Sequence, residues 1–392
     1  MNRKTILFVH QSSELYGSDK TLFYLVRDLK NTNLFTPIVV LPHEGPLKDI
    51  LRKENIKVIV APVTKVSRKM FKIGNLLILP FKLLKALRHL KKELKGETID
   101  LIHSNTLAVL LGAFYAKQEK IKHLWHVHEI IEHPRAVNKT YSVFVDKFSD
   151  LVVYNSKASL DALCNKRTSL IRKSQVIWNG LDREASKTPN LEVSKIRKTL
   201  FKGYNLDTQY IGLVGRINRW KGHLLMLEAF HKVSKNHPNT KLIFIGSPPP
   251  NQEFFRDSLL QKIKELGIES HCEIVPFREN IWPLYDSLDI VVVPSTEPEP
   301  FGLVALESML SQKLVIAANH GGLKEIIAHE KTGLLFVPND DNDLALKLTK
   351  SIEDKEYSDQ LAASGFQSVI SDFCLEKYVL SFIKVYLEIA TK

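Results

Sequence analysis

Short apolar runs recur along the chain, and the stretch between each run and the next has helical periodicity. Runs that stay mostly apolar, instead of alternating with polar residues, predict strands buried on both faces, and helical crossovers predict parallel pairing. Seven runs lie in the first half and six in the second: Ile6–Val9, Ile38–Leu41, Lys57–Val60, Leu101–His103, His123–Val127, Leu151–Tyr154, Gln175–Trp178, then Tyr210–Val214, Lys241–Ile245, Glu273–Val275, Ile290–Val293, Leu314–Ala317 and Leu334–Val337. The chain is therefore expected to be an α/β protein.

Two such series, separated by a polar stretch, predict two doubly wound, Rossmann-like domains. The separating segment Asp182–Asn205 is charged and lacks strand character, so we interpret it as the linker. A length of 392 residues also suits two or three domains. We place the domains at 1–182 and 183–374. The amphipathic tail 375–392 is expected to be a terminal helix that returns to the first domain.

The three cysteines, Cys164, Cys272 and Cys374, lie far apart in the sequence. Their spacing excludes a disulfide framework and a zinc site of closely spaced cysteines, and it favours a reducing compartment. No apolar run reaches the ~18 residues of a spanning helix, and the apolar residues that follow Met1 are too few for a secretory signal. We therefore expect a cytoplasmic protein.

Positive charge is concentrated in one segment of the chain, whose overall net charge is +12. Between Lys65 and Lys95, ten basic residues stand against one acid, Glu93, which gives this segment a net charge of +9. A local concentration of this kind predicts an anionic surface as partner.

The leucines of the same segment form a helical stripe, which predicts an apolar face packed on the chain's own sheet. The stripe consists of Leu83, Leu84, Leu87, Leu90 and Leu94. The cations would then face outward, with Phe71 or Phe81 as candidate exposed aromatic residues. Such a face predicts binding to anionic lipid headgroups, at about 1 kcal/mol per cation near the surface. No aromatic stacking platform accompanies the cations, so nucleic acid is not expected as a partner.

Residues 215–222, Gly-Arg-Ile-Asn-Arg-Trp-Lys-Gly, follow a predicted strand and open a predicted helix. Gly215 allows a sharp turn after the strand, which places Arg216 and Lys221 at the carboxyl end of the sheet, where this architecture binds ligands. Two cations beside the positive end of a helix suit a diphosphate. By itself the motif is equally consistent with solvated cations in a surface loop.

Residues 294–307, Pro-Ser-Thr-Glu-Pro-Glu-Pro-Phe-Gly-Leu-Val-Ala-Leu-Glu, follow another predicted strand. Proline and glycine predict a loop, and a helix is expected to begin near Gly302. Glu299 in the loop and Glu307 on the helix could each hold a pair of vicinal hydroxyls, and the first amides of the helix could hold a phosphate. The alternative is two solvated acids where helix starts favour them.

Together these motifs resemble the retaining glycosyltransferases of family 4, which have the GT-B fold. The segments Asn319–Glu325 and Lys331–Leu335 extend the resemblance, in order and in spacing, to roughly residues 210–346. The resemblance implies an α/β protein with two Rossmann-like doubly wound domains that face a central cleft. In it, 1–182 would take the acceptor and 183–374 would take a nucleotide sugar.

By this resemblance, Arg216 and Lys221 would contact the donor diphosphate and stabilise the leaving nucleotide where charge develops. Glu307 would bind the ribose hydroxyls. Glu299 would contact the transferred sugar, and its spacing to Glu307 favours it over the neighbouring Glu297. Further donor contacts are implied for Gly215, Phe301, Gly302 and Leu303. Gly321 and Gly322 are expected to permit close backbone packing below the site.

One histidine of the first half also matches the family. His128, followed by Glu129, ends a predicted strand, at a place where a histidine and an acid recur. It is expected to contact the donor sugar or to orient the acceptor. His126 alternates with Val127 and is expected to point to the same side, with a structural role as its alternative.

At residues 17–20 the chain has Gly-Ser-Asp-Lys, where many relatives have Gly-Gly-x-Glu. Gly17 is expected to approach the donor. The broken pattern leaves the roles of Ser18, Asp19 and Lys20 open. Asn179, before Gly180, is interpreted as part of a turn near the hinge.

We interpret the chain as a retaining hexosyltransferase that moves a sugar from a nucleotide-sugar donor to a glycan or lipid-linked acceptor, as in cell-surface polysaccharide synthesis. No cofactor and no metal are expected, since no His/Asp cluster has metal-ligand spacing. The segment Lys65–Lys95 predicts peripheral attachment to the inner face of the cell membrane. The alternatives are a sugar-nucleotide epimerase on the same fold and a non-catalytic sugar-nucleotide-binding protein.

Overall fold

The structure, a computed structural model, describes residues 3–63, 73–164, 167–183, 185–202 and 207–391. The start of the basic segment, Lys65–Lys72 with Phe71, lies outside the described residues. The chain forms two compact units, Met1–Gly180 with Leu375–Lys392, and Leu181–Cys374. Each unit contains one parallel sheet.

In the described part of the first unit, seven parallel strands form the sheet: β1 (Lys4–His10), β2 (Phe35–Leu41), β3 (Lys57–Val60), β4 (Leu101–Asn105), β5 (Lys122–Val127), β6 (Leu151–Tyr154) and β7 (Ser174–Val176). Their order is β3-β2-β1-β4-β5-β6-β7. Helices cover both faces: α1 (Gly17–Asn31), α2 (Pro46–Lys53), α3 (Ile73–Glu93), α4 (Leu111–Glu119), α5 (Arg135–Phe148), α6 (Lys157–Cys164), α7 (Thr168–Ile171) and, from the chain's end, α16 (Leu375–Thr391).

Among the residues of the second unit that the structure describes, six parallel strands form the sheet: β8 (Gln209–Val214), β9 (Thr240–Ile245), β10 (Cys272–Val275), β11 (Ile290–Val293), β12 (Leu314–Ala318) and β13 (Leu334–Phe336). Their order is β10-β9-β8-β11-β12-β13. The helices are α8 (Asn190–Thr199), α9 (His223–Ser234), α10 (Phe254–Glu265), α11 (Trp282–Asp286), α12 (Leu303–Leu310), α13 (Leu323–Ile326), α14 (Asp341–Glu353) and α15 (Lys355–Asp372). α8 lies within the segment that we interpreted as linker.

The predicted α/β fold with parallel sheets is confirmed, since every predicted run corresponds to one of these strands. The strand order reverses once in each sheet, between β1 and β4 in the first and between β8 and β11 in the second. At such a switch point, neighbouring strands send their connections to opposite faces, which leaves a crevice at their carboxyl ends. The two switch points are therefore the expected places for ligand-binding side chains.

Helix α16 packs on the sheet of the first unit through aromatic residues. Tyr378, Phe382 and Tyr386 are buried there, and the ring centroid of Tyr386 lies 5.7 Å from that of Phe35 and 6.3 Å from that of Phe8. A large apolar side chain contributes about 1.5–3 kcal/mol when it is fully buried. These contacts fix the last helix on the first unit.

Helix α3 carries the described part of the basic segment. Leu87, Leu90 and Leu94 are buried as predicted, but Leu84 is 50% exposed, so its assignment to the apolar stripe was wrong. At about 100° per residue, Leu84 lies roughly a quarter turn away from the centre of that stripe. The exposed side of the helix instead combines apolar and basic residues, and we call it the basic face: Phe81 (74% exposed), Leu84, Lys85, Arg88 and Lys92.

Candidate active site

Most residues predicted to bind the donor lie on or beside two loops of the second unit, which follow β8 and β11 at its switch point. The first loop, residues 215–222, leads into α9, and the second, residues 294–302, leads into α12. A Cβ atom at Gly222 (φ +77°) would lie only 1.9 Å from the carbonyl oxygen of Pro294. The amide of Thr296 donates to the carbonyl of Trp220 at 2.8 Å. The two loops are thus in direct backbone contact.

Lys221 and Glu299, which the sequence assigned to different parts of the donor, form an ion pair across these loops. The Nζ of Lys221 lies 2.5 Å from Oε1 of Glu299, and the hydroxyl of Ser295 donates to the same oxygen at 2.6 Å. The side chains are only 14% and 8% exposed. Because the two side chains contact each other in a partly buried position, an anion that binds Lys221 or a hydroxyl that binds Glu299 would also affect the other side chain.

The conformation of the first loop is fixed by its own side chains. The Oδ1 of Asn218 accepts from the amides of Trp220 and Lys221 at 3.2 and 3.0 Å, a turn typical of asparagine. Gly215 has a φ of +148°, which residues with a side chain rarely adopt, whereas a Cβ there would make only ordinary contact with Cε of Lys221, at 3.5 Å. Arg216 follows directly and is partly buried.

The neighbouring acid Glu297 is placed differently from Glu299. It pairs with Arg219, and both side chains are largely exposed. A pair in water contributes little and is readily screened by salt. The geometry therefore favours Glu299 over Glu297 as the functional carboxylate.

Glu307 lies on α12 and is 8% exposed. The hydroxyl of Tyr285, on α11, donates to Oε2 of Glu307 at 2.7 Å. Burial and the adjacent carboxylate raise the pKa of Tyr285 well above its usual value, so the phenol stays protonated and keeps donating. The sequence analysis missed Tyr285, which belongs to a short helix of five residues without a recognisable motif.

The remaining predicted donor contacts surround the start of α12. Gly302 (φ +125°) is the residue before the helix, and Leu303 is its first residue, so the amides of this turn present the positive end of the helix. The side chain of Phe301 is buried and packs against Phe373 at 6.1 Å. Only the backbone of Phe301 is thus suited to contact a ligand.

A third loop, after β12, supports this region from below. The amide of Gly322 donates to the carbonyl of Glu299 at 2.8 Å. A Cβ at Gly321 (φ +58°) would lie 2.3 Å from the same carbonyl oxygen, and one at Gly322 would lie 2.6 Å from Cα of Phe301. The prediction of close backbone packing at the two glycines is confirmed. His320, whose Nε2 lies 2.8 Å from the carbonyl oxygen of Ser295, adds a contact that the sequence did not indicate.

The first unit gathers polar side chains at its own switch point because of strand register. His10 is aligned with Asn105 on β4, and Asn105 is aligned with His126 on β5. All three are buried at the carboxyl ends of their strands. His128 directly follows β5, two residues after His126, and is half-buried on the same side, with its Nε2 3.2 Å from Nδ1 of His126. The expectation that the two histidines share a side is confirmed.

Asp19, whose role was open, is turned inward from the first turn of α1. Its Oδ1 lies 2.6 Å from Nε2 of His10, and its Oδ2 accepts from the amide of Tyr16 at 2.9 Å. Burial alone would raise the pKa of Asp19, but the hydrogen bonds from His10 and from the Tyr16 amide outweigh it and lower the pKa. Gly17, the first residue of α1, is exposed.

His128 is held at both its backbone and its ring. The carboxylate of Glu129 accepts from the amides of His128 and Leu107, each at 3.0 Å, and thereby ties together the segments after β4 and β5. The ring Nε2 of His128 lies 2.9 Å from Oδ1 of Asn105. Burial, reinforced by His10, lowers the pKa of His128 to about 3, so the ring is neutral at pH 7.

The described residues contain neither a metal-binding cluster nor a membrane-spanning helix. No group of three or more His, Cys, Asp or Glu side chains there is arranged to hold a metal ion. No helix in the same residues is long and apolar enough to cross a membrane.

The fold is similar to that of solved structures, among them a glycosyltransferase from Rickettsia africae, with a TM-score of 0.83 and 25% sequence identity over 99% of each chain. The crystal structure of Anabaena HepE in complex with UDP-glucose matches with a TM-score of 0.84 and 26% sequence identity, over 98% of this chain and 99% of that one. Two parallel doubly wound units in succession are the architecture of the GT-B fold, and this chain has that fold.

Family models refine this assignment. Residues 197–368 match the family described as glycosyl transferases group 1, and residues 17–185 match the family described as glycosyltransferase family 4. The first match contains both site loops of the second unit, and the second match contains Asp19, Asn105, His126 and His128. Together the two matches span most of the chain.

Curated relatives are similar over part of their length. An uncharacterized glycosyltransferase of Methanocaldococcus jannaschii is 28% identical over 240 residues, which is 60% of this chain and 59% of that protein. A Campylobacter jejuni transferase, named for adding N-acetylgalactosamine to a diphospho-undecaprenol-linked sugar, is 25% identical over 56% of this chain and 55% of its own length. The chain thus spans little more than half of these relatives.

Proposed function

We propose that the protein transfers a hexose from a nucleotide diphosphate sugar to a hydroxyl of a glycan or lipid-linked acceptor, with retention of anomeric configuration. The observation that carries the proposal is the Lys221–Glu299 ion pair at the β8/β11 switch point. It places a cation suited to a diphosphate and a carboxylate suited to sugar hydroxyls within one hydrogen bond of each other.

Different residues of the second unit hold the different parts of the donor. Arg216 and Lys221 hold the diphosphate and offset the charge that develops on its oxygen as the bond to the anomeric carbon breaks. The ribose hydroxyls donate to the carboxylate of Glu307, which Tyr285 holds in place. Glu299 and the first amides of α12 hold the transferred sugar. The bonding electrons leave with the diphosphate.

Retention requires the acceptor oxygen to attack on the face that the diphosphate leaves. In this scheme the acceptor proton passes to the departing phosphate oxygen, so no protein carboxylate has to act as nucleophile. His128, on the first unit, contacts a hydroxyl of the sugar or of the acceptor. No cofactor or metal ion is part of the proposal.

A uridine nucleotide is the proposed donor base, because the similar HepE structure holds UDP-glucose. UDP is therefore expected to raise the melting temperature of the purified protein, since a ligand at about 100 times its dissociation constant stabilises by about 2.7 kcal/mol. Thermal shift with UDP, GDP, ADP and uridine checks this expectation. Uridine should give a much smaller shift, because it lacks the diphosphate that Arg216 and Lys221 bind.

The outcomes of this screen separate the candidate functions. A shift with UDP followed by transfer from a UDP-sugar supports the proposal, whereas interconversion of UDP-sugars without transfer would assign an epimerase. Binding without turnover, with acceptor and membrane present, would leave a binding protein. Equal shifts with all three nucleotides and with uridine would contradict the assigned diphosphate site.

A lipid-linked acceptor is proposed on the basis of two observations. The Campylobacter relative is named for acting on a sugar attached to diphospho-undecaprenol, and the basic face of α3 presents cations around an exposed aromatic ring. Lys91 of the same helix is paired with Glu119 at 2.9 Å and contributes less free charge. Peripheral binding to an anionic membrane would bring such an acceptor to the enzyme.

Neutralising three cations of the basic face is expected to weaken binding to anionic vesicles by about 100-fold, at about 1 kcal/mol per cation near the surface. The variant is Lys85→Gln/Arg88→Gln/Lys92→Gln, and sedimentation with phosphatidylcholine vesicles that contain phosphatidylglycerol measures it. The difference should shrink at high salt, because salt screens exposed charges.

A matched variant with the same loss of charge tests whether the location matters. Lys195→Gln/Lys198→Gln/Lys264→Gln removes three exposed cations of the second unit and is expected to bind vesicles almost as the unmodified protein does. Equal binding by both triple variants would remove the membrane proposal. Phe81→Ser should weaken binding further if the ring enters the lipid, in contrast to a purely electrostatic attachment.

A further inference from the structure

The polar side chains at the β1/β4 switch point form a chain of hydrogen bonds with a definite direction. Asp19, His10, Asn105 and His128 are linked in this order by contacts of 2.6, 3.0 and 2.9 Å. The first three residues are at most 2% exposed. Because buried polar groups must be satisfied by these partners, each donor and acceptor role can be assigned from the neighbouring one.

The assignment begins at the carboxylate, which can only accept. The pKa of Asp19 is lowered by His10 and the Tyr16 amide against the opposing effect of burial, so Asp19 is ionised. The Nε2 of His10 must therefore donate to it. Nδ2 of Asn105 lies 3.0 Å from Nδ1 of His10, and because an amide nitrogen can only donate, this Nδ1 accepts. Its contact with the carbonyl oxygen of Asn105 is longer, 3.4 Å, and beyond the usual range.

The direction continues to His128. With its Nδ2 facing His10, Asn105 presents Oδ1 to the Nε2 of His128, which must donate. The Nδ1 of His126, 3.2 Å from the same nitrogen, is a second acceptor for that proton. Neutral His128 therefore carries its proton on Nε2, and its Nδ1 keeps a lone pair. Within the described residues Nδ1 has no hydrogen-bond partner, while the side chain is partly exposed.

We propose that Asp19, His10 and Asn105 are positioning residues that hold His128 in the Nε2–H tautomer, so that its Nδ1 accepts a hydrogen bond from a substrate hydroxyl. The substrate contact rests on the proposed transferase function, whereas the tautomer does not. An accepting nitrogen selects a group that can donate, such as a sugar hydroxyl. A phosphate or carbonyl oxygen at the same place would leave two acceptors facing each other.

The tautomer can be observed directly in the full-length protein without substrate. Long-range ¹H–¹⁵N correlation of histidine-labelled protein distinguishes protonated from bare ring nitrogens, and comparison with His128→Gln identifies the signal of His128 among the 14 histidines. We expect Nε2 of His128 to be protonated and Nδ1 to be bare at neutral pH. A protonated Nδ1 in the unmodified protein would overturn the proposal, whether or not any variant folds.

Two variants test whether the chain sets this tautomer. Asn105→Leu removes the link to His128, and Asp19→Asn leaves one oxygen for the two acceptor contacts that the carboxylate makes. Both should convert the single tautomer of His128 into a mixture. Tyr386→Phe is the matched control, because it removes another buried partner of the same cluster, the hydroxyl 2.7 Å from Nδ1 of His103. It should leave His128 unchanged; an unchanged tautomer in all three variants would refute the positioning role.

Kinetics with monodeoxy UDP-sugars tests the substrate contact. One deoxy sugar is expected to lose about fivefold in kcat/KM with the unmodified enzyme, since a neutral hydrogen bond contributes about 1 kcal/mol. In Asn105→Leu this penalty should fall to about twofold or less, while Tyr386→Phe keeps it. An equal penalty in both variants would refute the contact.

These experiments distinguish a failure of the proposed transferase function from a failure of the proposed hydrogen-bond chain. A bare Nδ1 without any glycosyl transfer would contradict the proposed function and leave the hydrogen-bond chain standing. A protonated Nδ1 in an active transferase would overturn the chain and leave the proposed function standing.

Discussion

Lys221→Ala is expected to lower kcat for sugar transfer by about 10²–10³-fold, because one preorganised donor to a developing charge is worth about 3–4 kcal/mol. The lysine lies on the loop after β8, with its Nζ held 2.5 Å from Glu299, so it is oriented before the substrate arrives. Arg216→Ala should have an effect of the same order. Steady-state transfer from the nucleotide sugar identified by the thermal-shift screen measures both.

The control for Lys221→Ala is a lysine in a similar pair at a different place. Lys262, on α10, lies 2.6 Å from Glu228, and both side chains are more exposed than those of the site. Lys262→Ala should leave kcat within about twofold, because an exposed pair contributes little. Unchanged kcat in Lys221→Ala and Arg216→Ala, with both proteins folded, would refute the diphosphate site.

Glu299→Gln should also reduce transfer, and its effect should not add to that of Lys221→Ala. Part of the contribution of Glu299 to transfer comes from holding Lys221 in place, and this part is already lost in Lys221→Ala. Residues that act as a unit give double variants less impaired than the product of the single effects. Full additivity would mean that the 2.5 Å contact has no influence on catalysis.

The sheets could be predicted from the sequence because their strands carry their own signal. A strand covered by helices on both faces must be apolar on both sides, so runs such as Ile290–Val293 are visible without knowledge of their neighbours. Leu84 shows the limit of the same method for helices. A leucine at the edge of an apolar stripe is ambiguous until packing decides, and here it is left exposed beside Phe81.

The candidate site could be predicted residue by residue, but not as an arrangement. Lys221 and Glu299 stand in separate motifs, 78 positions apart, and only the adjacency of β8 and β11 brings their loops together. Tyr285 could not be found, because a tyrosine in a short helix has no pattern that marks its partner. The same holds for the contact of His320 with Ser295.

The hydrogen-bond chain of the first unit could not be predicted from the sequence, for a related reason. His10, Asn105 and His126 are distant in sequence and meet only through the register of β1, β4 and β5. Asp19 occupies a position where the family pattern is broken, so the pattern gave it no role. Only the structure gives the inward orientation of its side chain, because there the end of β1 lies opposite the first turn of α1.

Gly222→Ala is expected to lower the stability of the second unit by about 2–5 kcal/mol, the sum of about 1–2 for a left-handed backbone and about 1–3 for overpacking. The new Cβ would lie 1.9 Å from the carbonyl oxygen of Pro294, a backbone atom that cannot turn aside. The loops that carry Lys221 and Glu299 would have to separate. We therefore expect the variant to lose UDP binding as well as thermal stability.

Gly267→Ala separates these two costs. Gly267 also has a left-handed backbone, with φ +65°, but nothing lies within 4 Å of the position of its Cβ. It should lose only the conformational part, about 1–2 kcal/mol, and should bind UDP normally. The difference between the two melting temperatures, roughly 2–4 °C per kcal/mol for a unit of this size, then measures the close contact between the site loops. Equal losses in both variants would mean that the backbone at Pro294 yields, and that the ion pair does not depend on this contact.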